Sequence, residues 1–191
     1  MKVSQSKEFF LLSNLKIILP QNETHSTQNK SDDLTILKPI NILLADDDKG
    51  DCLLFKEALE ELPLSTNLTI VNNGEELIEL ITKKGKTFPD VLFLDLNMPR
   101  KNGFASLGQI KRSTELQNLP VIIFSTASDM TTVKKVFRDA AHYFITKPVD
   151  FTQLKKVIYE ALTLVTRNNP PLPGEEKFVI TGDSIIIPEK K

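Results

Sequence analysis

Five short, almost unbroken apolar runs set the terms on which this chain can fold: residues 42–45 (ILLA), 68–71 (LTIV), 91–94 (VLFL), 121–124 (VIIF) and 143–145 (YFI). Runs of this kind read as strands buried on both faces rather than as half-solvated ones. Between them, apolar residues recur three and four apart. The first such stripe is Phe55, Ala58, Leu59 and Leu62, the second Leu77, Ile78 and Ile81, and the third Phe104, Leu107 and Ile110. A fourth runs from Met130 through Val133, Val136 and Phe137 to Ala140, and a fifth from Phe151 through Leu154, Val157, Ile158, Ala161 and Leu162 to Val165. That spacing is the period of an amphipathic helix. Strands and helices in strict alternation predict a parallel sheet with helices on both faces, because right-handed crossovers lay consecutive strands side by side. Residues 39–166 hold the whole pattern. In open sheets of this kind ligands bind beyond the carboxyl ends of the strands, so the residues just after each run carry the chemistry.

The flanks read differently. Residues 1–38 form an N-terminal extension: an apolar stretch at 9–19 (FFLLSNLKIIL) interrupted by Lys16, then a polar linker. Without a small-x-small cleavage site, it is read as non-secretory. Residues 167–191 begin as a Pro-rich spacer (NNPPLPG) and end in FVI, TGDS and III, which predicts a short hairpin able to add to a sheet edge of this or another molecule. That tail is too short for a helix-turn-helix, so output is expected through protein contacts rather than DNA. Twenty-four basic against 25 acidic residues give a net charge of −1, which favours neither nucleic acid nor an anionic membrane. A single cysteine, Cys52, rules out an internal disulfide, and no run is long enough to span a bilayer. The expected compartment is the cytoplasm.

Acids, a hydroxyl and an ammonium collect at the strand ends. Asp46, Asp47 and Asp48 follow the first run, Asp95 the third, Ser125 and Thr126 the fourth, and Lys147-Pro148 the fifth. Carboxylates packed this closely repel and demand a counter-charge. Mg²⁺, a hard cation bound through oxygen, supplies it, and Asp46, Asp47 and Asp95 fit such a site. The same groups suit phosphoryl transfer, in which positioning and charge do most of the work. Asp95 is the nucleophile candidate, since it ends the most hydrophobic run and opens the loop LNMPRKNG. The Thr126 hydroxyl and the Lys147 ammonium can each take one phosphoryl oxygen.

Taken together, ILLADDD, VLFLDLNMPRKNGF, IIFSTAS and YFITKPVDF resemble the receiver domain of two-component response regulators, in order and spacing. The resemblance implies a flavodoxin-like (βα)5 fold with strand order 2-1-3-4-5. It implies a phosphoacceptor that is not an enzyme beyond self-phosphorylation and self-dephosphorylation. A histidine kinase or phosphotransfer protein would supply the phosphoryl group to Asp95, with Mg²⁺ as cofactor and Mn²⁺ as a substitute. Asp47 and Asp95 would ligate the metal directly, Asp46 through water, and Asn97 through its backbone carbonyl. Thr126 and Lys147 would hold the phosphoryl oxygens, Thr126 and Phe144 would form the switch, and a cis bond is expected at Pro148. Phe144 lacks the hydroxyl that many receivers carry there, so an inward rotamer is expected. Signalling would leave by the face of the fourth helix, fifth strand and fifth helix, toward a downstream protein or a second copy. Neutral Ser128 and Asn97 imply an intermediate phosphoryl lifetime. The alternative is a Mg²⁺-dependent phosphatase that forms its aspartyl-phosphate after the first strand. Asp46-x-Asp48 mimics that family's acids, but Gly50 stands where Thr or Val is expected. A flavin or nucleotide module would need a Gly-rich loop after the first strand, which this sequence lacks.

Overall fold

The computed structural model describes residues 38–83, 87–166, 172–183 and 185–189. The apolar N-terminal stretch, its linker and most of the Pro-rich spacer lie outside them. Strands and helices alternate without exception through residues 40–165: β1 (Ile40–Ala45), α1 (Lys49–Glu61), β2 (Thr66–Val71), α2 (Gly74–Thr82), β3 (Val91–Leu94), α3 (Gly103–Arg112), β4 (Val121–Ser125), α4 (Met130–Arg138), β5 (Tyr143–Thr146) and α5 (Phe151–Val165). The sheet has five strands in the order β2-β1-β3-β4-β5, and every pairing is parallel. Each helix starts on a side chain that accepts from its first-turn amides: Asp48, Asn73, Asn102, Asp129 and Asp150.

Alternation along the strands splits the core into two layers. Ile42, Leu44, Phe93, Phe124 and Ile145 meet Phe55 and Leu59 of α1 and Val157, Ile158 and Leu162 of α5. Leu43, Leu92, Leu94, Ile123 and Phe144 meet Leu77 of α2, Leu107 and Ile110 of α3 and Val136 of α4. Burying each such side chain contributes about 1.5–3 kcal/mol, so these two layers hold the strand ends in register.

Three expectations need correction. β2 is not buried on both faces, since only Val71 is fully covered and Ile70 is 37% exposed; it is one of the two edge strands, and its neighbours cover it incompletely. The bond before Pro148 is trans, as is every peptide bond among the described residues. Trans is the lower-energy isomer for an X-Pro bond by about 0.5–1 kcal/mol. Here the Lys147 N–H also donates to Ser125 O at 3.0 Å, and Asp150 caps α5. The described part of the tail forms no hairpin. A 3-10 turn, Glu175–Lys177, leads into a single parallel bridge between Val179 and Phe144 of β5. The tail's carbonyl and amide find partners on the open edge of β5 rather than on one another.

His142 lies just before β5, where its Nδ1 accepts from Val121 N–H at 3.2 Å. Burial, helped by the Lys111 charge, pushes its pKa down to about 4. A folded pKa below the unfolded one adds stability that is full above about 6.5 and is lost as pH falls through about 4. Urea midpoints should therefore fall between pH 6.5 and 4. His142→Gln should show a shallower fall over that window, and equal slopes for the two proteins would refute this account.

Candidate functional site

Each acid owes its place to a strand end. Asp46 follows β1 directly, and its N–H donates to Val71 O at 3.0 Å, which prolongs the ladder by one residue. The Asp95 N–H does the same to Ala45 O at 2.9 Å, so the two acids end neighbouring strands side by side. Asp95 Oδ1 accepts from Leu96 N–H at 2.8 Å, which fixes the rotamer. A side chain at Gly103 would collide with the backbone of Asp95 and Leu96. Glycine there lets the start of α3 approach the loop, and the Gly103 N–H donates to Leu96 O at 3.0 Å.

Carboxylate oxygens of Asp46, Asp47 and Asp95 lie within 4.8 Å of one another. Asp46 is fully buried, Asp95 is 5% exposed and Asp47 faces solvent. Lys147 arrives from the end of β5, with Nζ 2.7 Å from Asp46 Oδ2, 2.7 Å from Asp51 Oδ2 and 4.0 Å from Asp95 Oδ2. The ring of Phe124 underlies the ammonium at 5.5 Å. The approach to Asp46 is an ion pair out of line for a hydrogen bond, so that buried oxygen has a charge nearby but no donor. Burial raises the Asp46 pKa, against the pull of Lys147. For Lys147, burial disfavours the charge, but the close carboxylates of Asp46 and Asp51 and the nearby charge of Asp95 outweigh it and raise the pKa.

Charge counting shows what the site can hold. Four carboxylates, with Asp51 included, face one ammonium. At 4 Å and an effective dielectric near 20, each like-charge pair costs about 4 kcal/mol. One Lys cannot offset that, whereas a hard divalent cation among oxygen ligands can, so Asp46, Asp47 and Asp95 fit such an ion.

Asn97 and Thr126 lie on the same rim, exposed, just past β3 and β4. Phe144 sits inside, 0% exposed. The pairing of Asp51 with Lys147 escaped the sequence reading; Asp48 caps α1, at 2.7 and 3.0 Å from the Gly50 and Asp51 amides. The only signal in the sequence was an acid in the first turn of α1, facing the same rim. Cys52 is packed in the core, and its thiol reaches Asp46 O at 3.5 Å. Burial, with Asp46 nearby, pushes its pKa up to about 11, which makes it a poor nucleophile at neutral pH.

Residues 42–159 match the family model described as "Response regulator receiver domain". The chain is 26% identical over 125 residues to the probable methanogenesis regulatory protein FilR2 of Methanothrix harundinacea, covering 64% of this chain and 81% of that one. It is 27% identical over 124 residues to the response regulator Rcp1 of Synechocystis, covering 63% and 84%. Among solved structures, the phosphorylated cyanobacterial phytochrome response regulator RcpA superposes with a TM-score of 0.63 at 26% identity, over 71% of this chain and 99% of that one. The Mn²⁺-bound form of Rcp1 gives 0.62 at 26% identity, over 71% and 100%.

Removing Lys147 strands Asp46 beside Asp95, and loss of one partner from a buried ion pair typically costs about 3–5 kcal/mol. Urea unfolding of Lys147→Met in a chelator should show a loss of that order at neutral pH. Asp51 is one-third exposed, and Asp51→Asn should cost about 1 kcal/mol or less. Equal losses for the two variants would mean that the ammonium is not held mainly against Asp46.

Proposed function

The chain belongs to the response regulator receiver family, and from that premise we propose that Asp95 accepts a phosphoryl group from a histidine kinase or phosphotransfer protein. The observation that carries this is the meeting of Asp46, Asp47, Asp95 and Lys147 from the ends of three strands. An Asp95 carboxylate oxygen attacks the phosphorus of the donor's phosphohistidine. The P–N bond breaks, and its electron pair stays on the imidazole nitrogen. The Leu96 N–H holds the nucleophile still during this step. Lys147, already 4.0 Å from Asp95, turns from its acid partners toward a phosphoryl oxygen, and the Thr126 hydroxyl donates to another.

Asp47 and Asp95 would ligate Mg²⁺ directly, Asp46 through water, and Asn97 through its carbonyl, with Mn²⁺ able to substitute. When bound, the ion offsets charge on the carboxylates and on the transferred group. Similarity to one receiver described as phosphorylated and another described as Mn²⁺-bound supports both assignments.

The bonds from Lys147 and Thr126 to the phosphoryl group exist in one state only, so phosphorylation shifts a population rather than building a new fold. Thr126 and Phe144 form the switch. Output leaves by the face of α4, β5 and α5, toward a protein target or a second copy. Ser128 and Asn97, small and without a strong base, give the phosphoryl group an intermediate lifetime.

With a small phosphodonor and Mg²⁺, intact wild-type protein should gain the mass of one phosphoryl group. Asp95→Asn and chelator-treated wild type should gain none. Labelling that persists in Asp95→Asn would remove the assignment, and catalytic turnover of phosphate esters would favour the phosphatase reading.

A further inference from the structure

The open edge of β5 is closed by the chain itself. The Phe144 N–H donates to Phe178 O at 2.9 Å, and the Ile180 N–H donates to Phe144 O at 2.9 Å, so two residues of the tail, on either side of Val179, satisfy both outward-facing backbone groups of Phe144. Side chains on either side of that bridge go to opposite faces of the sheet. Phe178, 1% exposed, joins the layer under α2, α3 and α4, with its ring 5.1 Å from Phe137 in an edge contact and 6.5 Å from Phe144. Ile180, 5% exposed, joins the layer under α1 and α5. The segment thus straddles the sheet edge as a clasp. Val179, between them, stays 43% exposed. Beyond the clasp, the Thr181 carbonyl accepts from the Gln153 side chain, and the Gly182 N–H donates to Glu160 Oε2 at 3.1 Å, both on α5. Gly182 adopts φ +75°, where a side chain would be strained and would press on Lys156 and Val157.

This clasp occupies the face assigned above to output, and the inference rests on that assignment. We propose that the β5 edge is a docking surface for an extended aromatic-x-aliphatic segment of a partner protein, and that residues 178–180 are its built-in competitor. The seated tail shows which chemistry fits. The occupant offers one carbonyl and one amide to Phe144, an aromatic ring to Phe137 and an aliphatic group to the α1/α5 layer. The hold is also thin enough to be displaced. Among the described residues, a single bridge ties the tail to the sheet, and apolar Leu172 and Ile186 on either side remain 54% and 89% exposed. A tethered segment competes at an effective concentration near the millimolar range, so a partner binds only when its own segment is better or the tail is loosened. Because Phe178 packs on Phe144, the rotamer of the switch residue and the seating of the clasp are coupled, and each must bias the other equally.

The test uses the full chain and a fluorescent peptide with the sequence of residues 174–180, which lacks the Thr181 carbonyl that Gln153 holds in the tail. Phe178→Ala/Ile180→Ala should bind the peptide at least ~10-fold more tightly than wild type, because its own competitor is disabled. A peptide with the Phe replaced by Ala should not bind. The Phe144 amide should exchange slowly in wild type, faster in the double variant, and slowly again when peptide is added. Gln153→Ala, which leaves the clasp residues and the core intact, should show a smaller change in the same direction and so guards against misfolding of the double variant. Equal peptide binding by wild type and variant, binding by neither, or an unchanged Phe144 amide would overturn the proposal. A wild-type dimer in which Phe144 protection rises with concentration would overturn it in favour of a second copy as occupant. Intact mass after phosphodonor treatment reports separately on Asp95, so the two readings fail independently.

Discussion

A single ammonium holds the functional rim together. Lys147 lies 2.7 Å from Asp46 and from Asp51 and 4.0 Å from Asp95, and it rests on the ring of Phe124. Without it, a fully buried carboxylate would stand beside a nearly buried one in a medium that screens poorly. Its hold is incomplete by design of charge, with more carboxylates than one cation can match. The site is therefore stable enough to fold and still electrostatically unsatisfied. That is the condition under which a divalent ion, which brings positive charge, finds a prepared place.

Everything else in the fold serves that convergence. The parallel sheet brings its strand ends to one rim, the two apolar layers fix their register, and the ladder bonds of Asp46 and Asp95 run straight into the site. The far edge of the same sheet has a different problem. β5 has exposed backbone groups, and such an edge invites pairing. Here the chain meets that need with its own tail, and the tail's ring packs against the buried aromatic that would report on the phosphoryl site. Site and edge are joined through β5, which carries Lys147 just past one end and Phe144 in its middle.

Much of this was legible beforehand because it rests on periodicity and position. Buried strands need unbroken apolar runs, helices need a stripe, and strand ends in an open parallel sheet point to one side. Asp46, Asp47, Asp95 and Lys147 could be placed together on those grounds. The misses share a cause. The exposure of β2, the trans bond before Pro148, the Lys147–Asp51 pair and the path of the tail all depend on which surface happens to be adjacent in space. Gln153 shows this well. Its position three residues after Asp150 suggests half of a capping box, and its backbone N–H does bond Asp150 at 2.7 Å, but its side chain turns to Thr181 instead.

The sequence alone determined the alternation of strand and helix, the two buried layers and the set of acids that share a rim, because each follows from local pattern and from the handedness of the chain. Only the tertiary structure decided which carboxylates share the ammonium and what closes the edge of β5. Those are contests between groups far apart in the chain, such as Asp51 and Lys147 or Phe144 and Phe178. They are settled by distance and desolvation, which no local pattern encodes.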